Sequence, residues 1–134
     1  MAKRKLTISM LVCGRDTTIR CLDSLVPILN GMDAELILVD TGCPAELREQ
    51  LKKYTDQILQ FTWCDDFSAA RNVGIKAAHG EWFLYIDDDE WFENPEVLIR
   101  FFTSGQYKKY GCVNYIQRNF YDADFVHYDD FWAS

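Results

Sequence analysis

The chain has 134 residues, with 14 Lys+Arg against 21 Asp+Glu and a formal net charge of −7. That is the length of one small domain, burying about two-thirds of its unfolded surface, and 49% hydrophobic residues with 15% aromatics exclude a disordered chain. The acidic balance and the lack of a basic stripe argue against nucleic acid as a partner, and no apolar run approaches the ~18 residues that span a bilayer.

Lys3-Arg4-Lys5 is followed by a strand-length apolar run, Leu6 to Val12, so a buried first strand is expected rather than a secretory leader. Asp16 opens a helical segment with Ile19, Leu22, Leu25, Val26 and Leu29 on one face, closed by Asn30-Gly31, and Pro27 inside it predicts a kink or early stop. Leu36 to Val39 is a second strand ending at Asp40-Thr41-Gly42. Pro44 suits a first helical position ahead of Leu47, Leu51 and Tyr54, and Gln57 to Thr62 is a third, weaker strand. Asp66 caps a helix with the small face Ala69, Ala70, Val73 and Ala77, stopped by His79-Gly80, whose histidine suits a helix C-terminus. Trp82 to Ile86 is a fourth strand running into Asp87-Asp88-Asp89-Glu90. Asn94-Pro95-Glu96 starts a helix with the face Val97, Leu98, Phe101 and Phe102, and Tyr110 to Gln117 reads as a fifth, less buried strand.

Strand and helix alternate four times, which predicts an α/β fold: a mostly parallel sheet with helices on both faces. Residues 1–134 read as a single domain. The five cysteines (Cys13, Cys21, Cys43, Cys64, Cys112) form no Cys-x-x-Cys pair, which disfavours a zinc or thioredoxin-like site and suits a reducing cytoplasm.

Ligands of open α/β sheets sit beyond the carboxyl ends of the strands. Those ends carry Cys13-Gly14-Arg15-Asp16, Asp40-Thr41-Gly42 and Asp87-Asp88-Asp89. The acidic run is the sharpest feature, because adjacent carboxylates repel unless a cation or hydrogen bonds compensate them. Asp87 and Asp89 can turn towards one point, and such hard oxygen donors suit Mg²⁺ or Mn²⁺; a solvated turn is the ordinary alternative. Neither a P-loop nor a Gly-x-Gly-x-x-Gly cradle is present, so a bound diphosphate would rely on metal. Asp40 can accept from a ribose hydroxyl or a base N–H, or merely open the Thr41-Gly42 turn. Arg71 needs an anion, either a ligand or its neighbours Asp65 and Asp66. Trp63, Trp82 and Trp91 read as packing residues rather than ligand platforms.

Four stretches occur in order: Thr7-Ile8-Ser9-Met10; Leu36 to Gly42; Trp63-Cys64-Asp65-Asp66-Phe67-Ser68-Ala69-Ala70-Arg71-Asn72; and Gly80 to Glu90. Together, over residues 6 to 95, they resemble family 2 glycosyltransferases of the GT-A fold, in particular the bacterial branch with a Trp-x-Asp-Asp-Phe-Ser-x-Ala-Arg-Asn stretch before an Asp-x-Asp motif. The resemblance implies a Rossmann-like GT-A sheet and transfer of a sugar, with inversion, from a nucleotide-sugar donor, UDP being the first candidate nucleotide. It implies nucleotide contacts from Asp40, Arg71, Asp87 and Asp88, and a Mn²⁺ or Mg²⁺ ion on Asp89 and Asp87 that neutralises the leaving diphosphate. The acceptor could be a glycan, a lipid-linked saccharide or a peptide.

Three departures qualify that reading. Cys13-Gly14-Arg15-Asp16 stands where the family has an Asn-containing turn, and Cys43-Pro44 replaces small polar residues after Asp-Thr-Gly. The sequence also stops before the region that supplies the acceptor site and general base, so a GT-A domain incomplete at its C-terminus is expected, with self-association a corollary and a peripheral membrane location open for a longer protein. The only late acids, Asp122, Asp124, Asp129 and Asp130, sit in no recognisable base motif. Two other readings remain: a nucleotide- and metal-binding fragment that transfers nothing, and, remotely, a haloacid dehalogenase-type phosphatase, whose Asp-x-Asp normally ends the first strand rather than the fourth.

Overall fold

The computed structural model describes residues 4–120 and 128–133. Two compact units are present, Met1–Thr103 and Ser104–Ser134. The first runs β1 (Arg4–Val12), α1 (Thr18–Gly31), β2 (Ala34–Asp40), α2 (Ala45–Leu51), β3 (Ile58–Gln60), α3 (Phe67–Ala77), β4 (Gly80–Tyr85) and α4 (Pro95–Thr103). Its four strands are all parallel, in the order β3-β2-β1-β4.

The central strands β1 and β2 are the most apolar, because a strand with helices on both faces has no solvated side. Leu6, Ile8, Met10 and Val12 of β1 and Leu36, Ile37, Leu38 and Val39 of β2 are all buried. Side chains alternate across a strand, so neighbours in sequence report on opposite faces. Ser9 lies against Gly74 of α3, where a Cβ would also come within 3.7 Å of Val39, while Met10 lies 3.4 Å from the Cys21 sulfur of α1. Helices α1 and α3 therefore cover opposite faces, as the alternation of elements predicts.

Helix α1 starts at Thr18, two residues later than expected, because Thr17 turns its hydroxyl to the Asp88 carbonyl at 2.9 Å and makes no cap. It also continues past Pro27 to Gly31. The proline removes one N–H, but Leu22, Leu25 and Ile28 are fully buried and their packing offsets the lost bond. Helix α2 begins one residue after Pro44 and ends before Tyr54, whose hydroxyl donates to Asp23 at 2.6 Å. In α3 the Asp66 carboxylate accepts from the Ala69 N–H at 3.0 Å, the expected N-cap. Pro95 is the first residue of α4, whose Phe102 packs edge-on against Trp82 at 5.7 Å.

One charge is buried at the amino edge of this sheet. Glu35 sits near the start of β2, and both its oxygens are filled. Oε2 accepts from the Thr7 hydroxyl and the His79 backbone N–H, each at 2.6 Å, and Oε1 from Gln57 at 3.0 Å with the His79 ring at 2.9 Å. Burial alone would raise this carboxyl, but the hydrogen bonds from Thr7, His79 and Gln57 prevail and bring it down to about 2. His79 thus serves this network rather than merely ending a helix.

The second unit holds a 3-10 turn, Gln106–Lys109, and an antiparallel pair, β5 (Tyr115–Phe120) and β6 (Tyr128–Ala133). The expected fifth strand, Tyr110 to Gln117, is corrected by this arrangement. Gly111 and exposed flanking residues precede the strand, which begins at Tyr115 and pairs with β6. Arg118 holds Asp130 through two bonds of 2.8 and 3.0 Å across that pair. Asp122 and Asp124 lie outside the described residues.

Candidate functional site

Parallel strands bring every carboxyl end to one edge, where the segments after β1, β2 and β4 meet around a cleft of about 740 Å³. That volume suits a small-molecule ligand. Cys13, Arg15, Thr41, Gly42, Trp63, Phe67, Arg71, Tyr85, Asp87, Asp88 and Asp89 contribute to its wall.

Asp40 is not part of that wall. Its side chain is buried at the end of β2 and fully engaged: Oδ1 accepts from the backbone N–H groups of Gly42 and Cys43 at 2.9 and 2.7 Å, and Oδ2 from Arg48 at 2.7 Å and Gln60 at 3.1 Å. Burial raises this carboxyl, yet the Cys43 and Gly42 amides with Arg48 and Gln60 outweigh it and hold the group at about 2. The carboxylate thereby shapes the turn whose Thr41 and Gly42 line the cleft. Gly42 has φ +134°, a conformation closed to other side chains at ordinary cost. Of the two roles open to Asp40 in the sequence, the turn is the one these contacts describe.

The acidic run forms a tight turn directly after β4. The Asp87 N–H donates to the Glu90 side chain at 2.9 Å, and the Glu90 N–H returns to the Asp87 carbonyl at 3.1 Å. The same backbone is steadied by Thr17, just ahead of α1, on the Asp88 carbonyl and by the Cys21 thiol of α1, 3.6 Å from the Asp87 carbonyl. The Asp88 side chain is only 8% exposed. Burial pushes its carboxyl up, and Asp89 and Asp87 add to the rise, while Arg15 opposes it. Arg15 lies 3.2 Å from Asp88 and 3.6 Å from Asp89, and no sequence signal beyond its place at a strand end marked it. Its pairing becomes visible only once β1 and β4 are neighbours.

Arg71 reaches the cleft from α3. Its guanidinium lies over the Tyr85 ring, 4.3 Å from the centroid, and bonding to Tyr85 is the main influence that raises it, with Asp87 adding a smaller one. The local pairing with Asp65 or Asp66 is replaced for physical reasons: Asp66 caps α3, and Asp65, in the left-handed region at φ +59°, accepts from the Trp63 indole at 3.0 Å. Trp63 is also a correction. It is not core but 38% exposed on the cleft wall, edge-on to Phe67 at 4.8 Å, and Phe67 is 61% exposed. The Trp-to-Phe spacing within the quoted stretch was the available signal. Trp82 and Trp91 are packing residues as expected, Trp91 beneath Arg20 at 4.9 Å.

Arg71, Asp87, Asp88 and Asp89 thus share one cleft, and Asp40 stands behind it. The wall carries two guanidiniums against three carboxylates, leaving negative charge in excess. Among the described residues no group of three or more His, Cys, Asp or Glu is arranged to hold a metal, and none of their helices is long and apolar enough to cross a membrane.

The chain is similar to the crystal structure of S. aureus TarS 1-349, with a TM-score of 0.55 and 17% identity over 78% of this chain and 32% of that one. That likeness shows the fold, an α/β parallel sheet similar to GT-A. It is also 41% identical over 71 residues to the TPR repeat-containing protein Synpcc7942_0270 of Synechococcus elongatus, spanning 53% of this chain but 17% of the relative. The chain therefore covers only a minor part of either protein. The sequence matches Glycosyl transferase family 2 over residues 8–119, and with most of its length inside that match, the chain belongs to this family.

Proposed function

We propose that this domain binds the nucleotide-sugar donor of a glycosyltransferase, with UDP the first candidate, and that the sugar passes to an acceptor hydroxyl with inversion. The observation that carries the reading is the convergence of Asp87, Asp88, Asp89, Arg15 and Arg71 on one cleft at the carboxyl edge of a parallel sheet. The carboxylates are hard oxygen donors, as Mn²⁺ or Mg²⁺ requires, and Mg²⁺ commonly takes only one or two of them together with ligand phosphates. Asp87 and Asp89 would hold such an ion, which fits a wall without a three-ligand cage. When bound, it would neutralise the departing diphosphate.

The chain's own residues supply the rest. Arg71, stiffened by Tyr85, offers a cation to the phosphates. Thr41 and Gly42 present backbone to the base in the conformation fixed by Asp40, whose contribution is therefore positional. Trp63 and Phe67 give a flat apolar wall to a base or sugar ring. With the lining carboxylates assigned to the diphosphate end in this reading, none of them is left to take the proton of an inverting transfer. That favours a second reading, binding without transfer by this segment alone, which a transfer assay beside the binding assay separates.

Calorimetric titration with UDP, GDP, ADP and CDP, in Mn²⁺ and then in EDTA, tests the proposal. One nucleotide is expected to bind only with metal, and an Asp87→Ala/Asp89→Ala double variant to lose at least about tenfold in affinity, the loss of one charge-assisted contact. Binding that ignores both EDTA and the double variant would overturn it.

A further inference from the structure

Among the described residues, the arginine–carboxylate pairs differ in a telling way, and Arg4 with Asp33 at 2.7 Å is one of the close ones. Arg48 meets Asp40 at 2.7 Å and Arg118 meets Asp130 at 2.8 and 3.0 Å, the lengths of charge-assisted hydrogen bonds. Arg15 stands 3.2 Å from Asp88 and 3.6 Å from Asp89, straddling two residues rather than gripping one. Its side chain is 57% exposed while that of Asp88 is 8% exposed. The contact therefore offsets a buried charge without locking the cation that does so.

The rest of the β1–α1 loop is anchored. Thr17 donates to the Asp88 carbonyl at 2.9 Å, and the Cys13 sulfur lies 3.9 Å from Asp88 Oδ2. Gly14, at φ +111°, lies so close to Pro44 that a Cβ would stand 2.9 Å from its Cδ. With both neighbours of the loop pinned, the Arg15 side chain can change partner without moving the backbone. It can do so inside the same cleft, which it lines beside Arg71 and the acidic run.

We propose that Arg15 is an exchangeable counter-cation, neutralising Asp88 and Asp89 in the donor-free protein and turning to the phosphates of a nucleoside diphosphate once a divalent cation takes over the acidic run. The proposal rests on the donor-site reading and adds to it an order of events: arginine first, metal and diphosphate in its place. Charge supports the exchange. A divalent ion turns the net negative wall positive, so the guanidinium is repelled from the carboxylates as the anionic ligand arrives.

The test compares wild type, Arg15→Gln and Arg20→Gln. The last removes the same charge from α1, but its guanidinium lies on Trp91 outside the cleft wall. Free Mn²⁺ is followed by electron paramagnetic resonance without nucleotide, then UDP binding by calorimetry at saturating Mn²⁺. For Arg15→Gln, Mn²⁺ binding is expected to tighten about threefold to tenfold and UDP binding to weaken about tenfold, with Arg20→Gln like wild type and thermal midpoints matched. Unchanged or weaker Mn²⁺ binding in Arg15→Gln overturns the proposal, as does tighter Mn²⁺ binding with UDP affinity unaltered. If all three proteins bind neither Mn²⁺ nor UDP, the donor-site reading itself falls. If all three bind Mn²⁺ and UDP alike, only the role of Arg15 falls.

Discussion

The two edges of the parallel sheet treat buried carboxylates in opposite ways. At the amino edge Glu35 is surrounded by donors from β1 and from the residues preceding β3 and β4, and its carboxyl is held at about 2. At the carboxyl edge Asp88 is nearly as buried, yet its carboxyl is pushed up by burial and by Asp89 and Asp87, with Arg15 as the opposing cation. The first charge is complete within the protein and contributes to stability. The second is offset by one largely exposed cation, and under the proposed function it is there that an external cation would enter.

Breaking the complete site costs most. Glu35→Ala leaves the Thr7 hydroxyl and the His79 N–H without their acceptor, and is expected to lower unfolding free energy by about 3 kcal/mol in urea titration. Metal-dependent nucleotide binding below the unfolding transition should be unaffected, since Glu35 lies at the other edge. Gly74→Ala attacks the frame between the two edges. A Cβ there would clash with the Ser9 hydroxyl and stand 3.3 Å from its Cβ, so Ser9 must turn and α3 must give way, with a loss of about 2 kcal/mol and weaker nucleotide binding through displaced Arg71.

The smallest effect sharpens the contrast most. Asp88→Asn is expected to change stability by less than about 1 kcal/mol in either direction, because the charge it removes was penalised by burial. The pH dependences should oppose each other. Glu35 has a depressed carboxyl, so its contribution is present above about 4.5 and is lost as pH falls towards 2. Asp88 has a raised carboxyl, so its penalty appears as pH rises and is relieved on acidification. Chemical denaturation from pH 7 to 3 should therefore show a shallower acid loss for Glu35→Gln and a steeper one for Asp88→Asn than for wild type.

Much of this was legible in the sequence, for reasons specific to each element. The continuous apolar runs of β1 and β2 admit only strands covered on both faces, and the Asp66 cap and Pro95 start are local signals that their own neighbours decide. What stayed hidden depends on contacts distant in sequence. Asp40 is filled by Gln60 as well as by its own turn, and Arg15 finds Asp88 across 73 positions. Neither pairing leaves a trace in local spacing. Trp63 misled because a large aromatic is usually core, whereas here Asp65 holds its indole at the rim. The strand at Tyr115–Phe120 was displaced because apolar content at Tyr110–Val113 outweighed a partner strand not visible from pattern alone.

The strand order carries a kinetic consequence. β1 pairs with β2 after a connection of about one helix, but Leu6 meets Trp82 at a separation of 76 positions. Loop-closure entropy makes that pairing the least favoured to form early. The β2–β1 pair can dock as soon as α1 is complete, whereas the cleft needs the β1–β4 seam that sets Arg15 beside Asp88. Completion of the cleft is therefore expected to follow formation of the β1–β2 pair. Refolding followed by a core probe should run ahead of refolding followed by nucleotide binding.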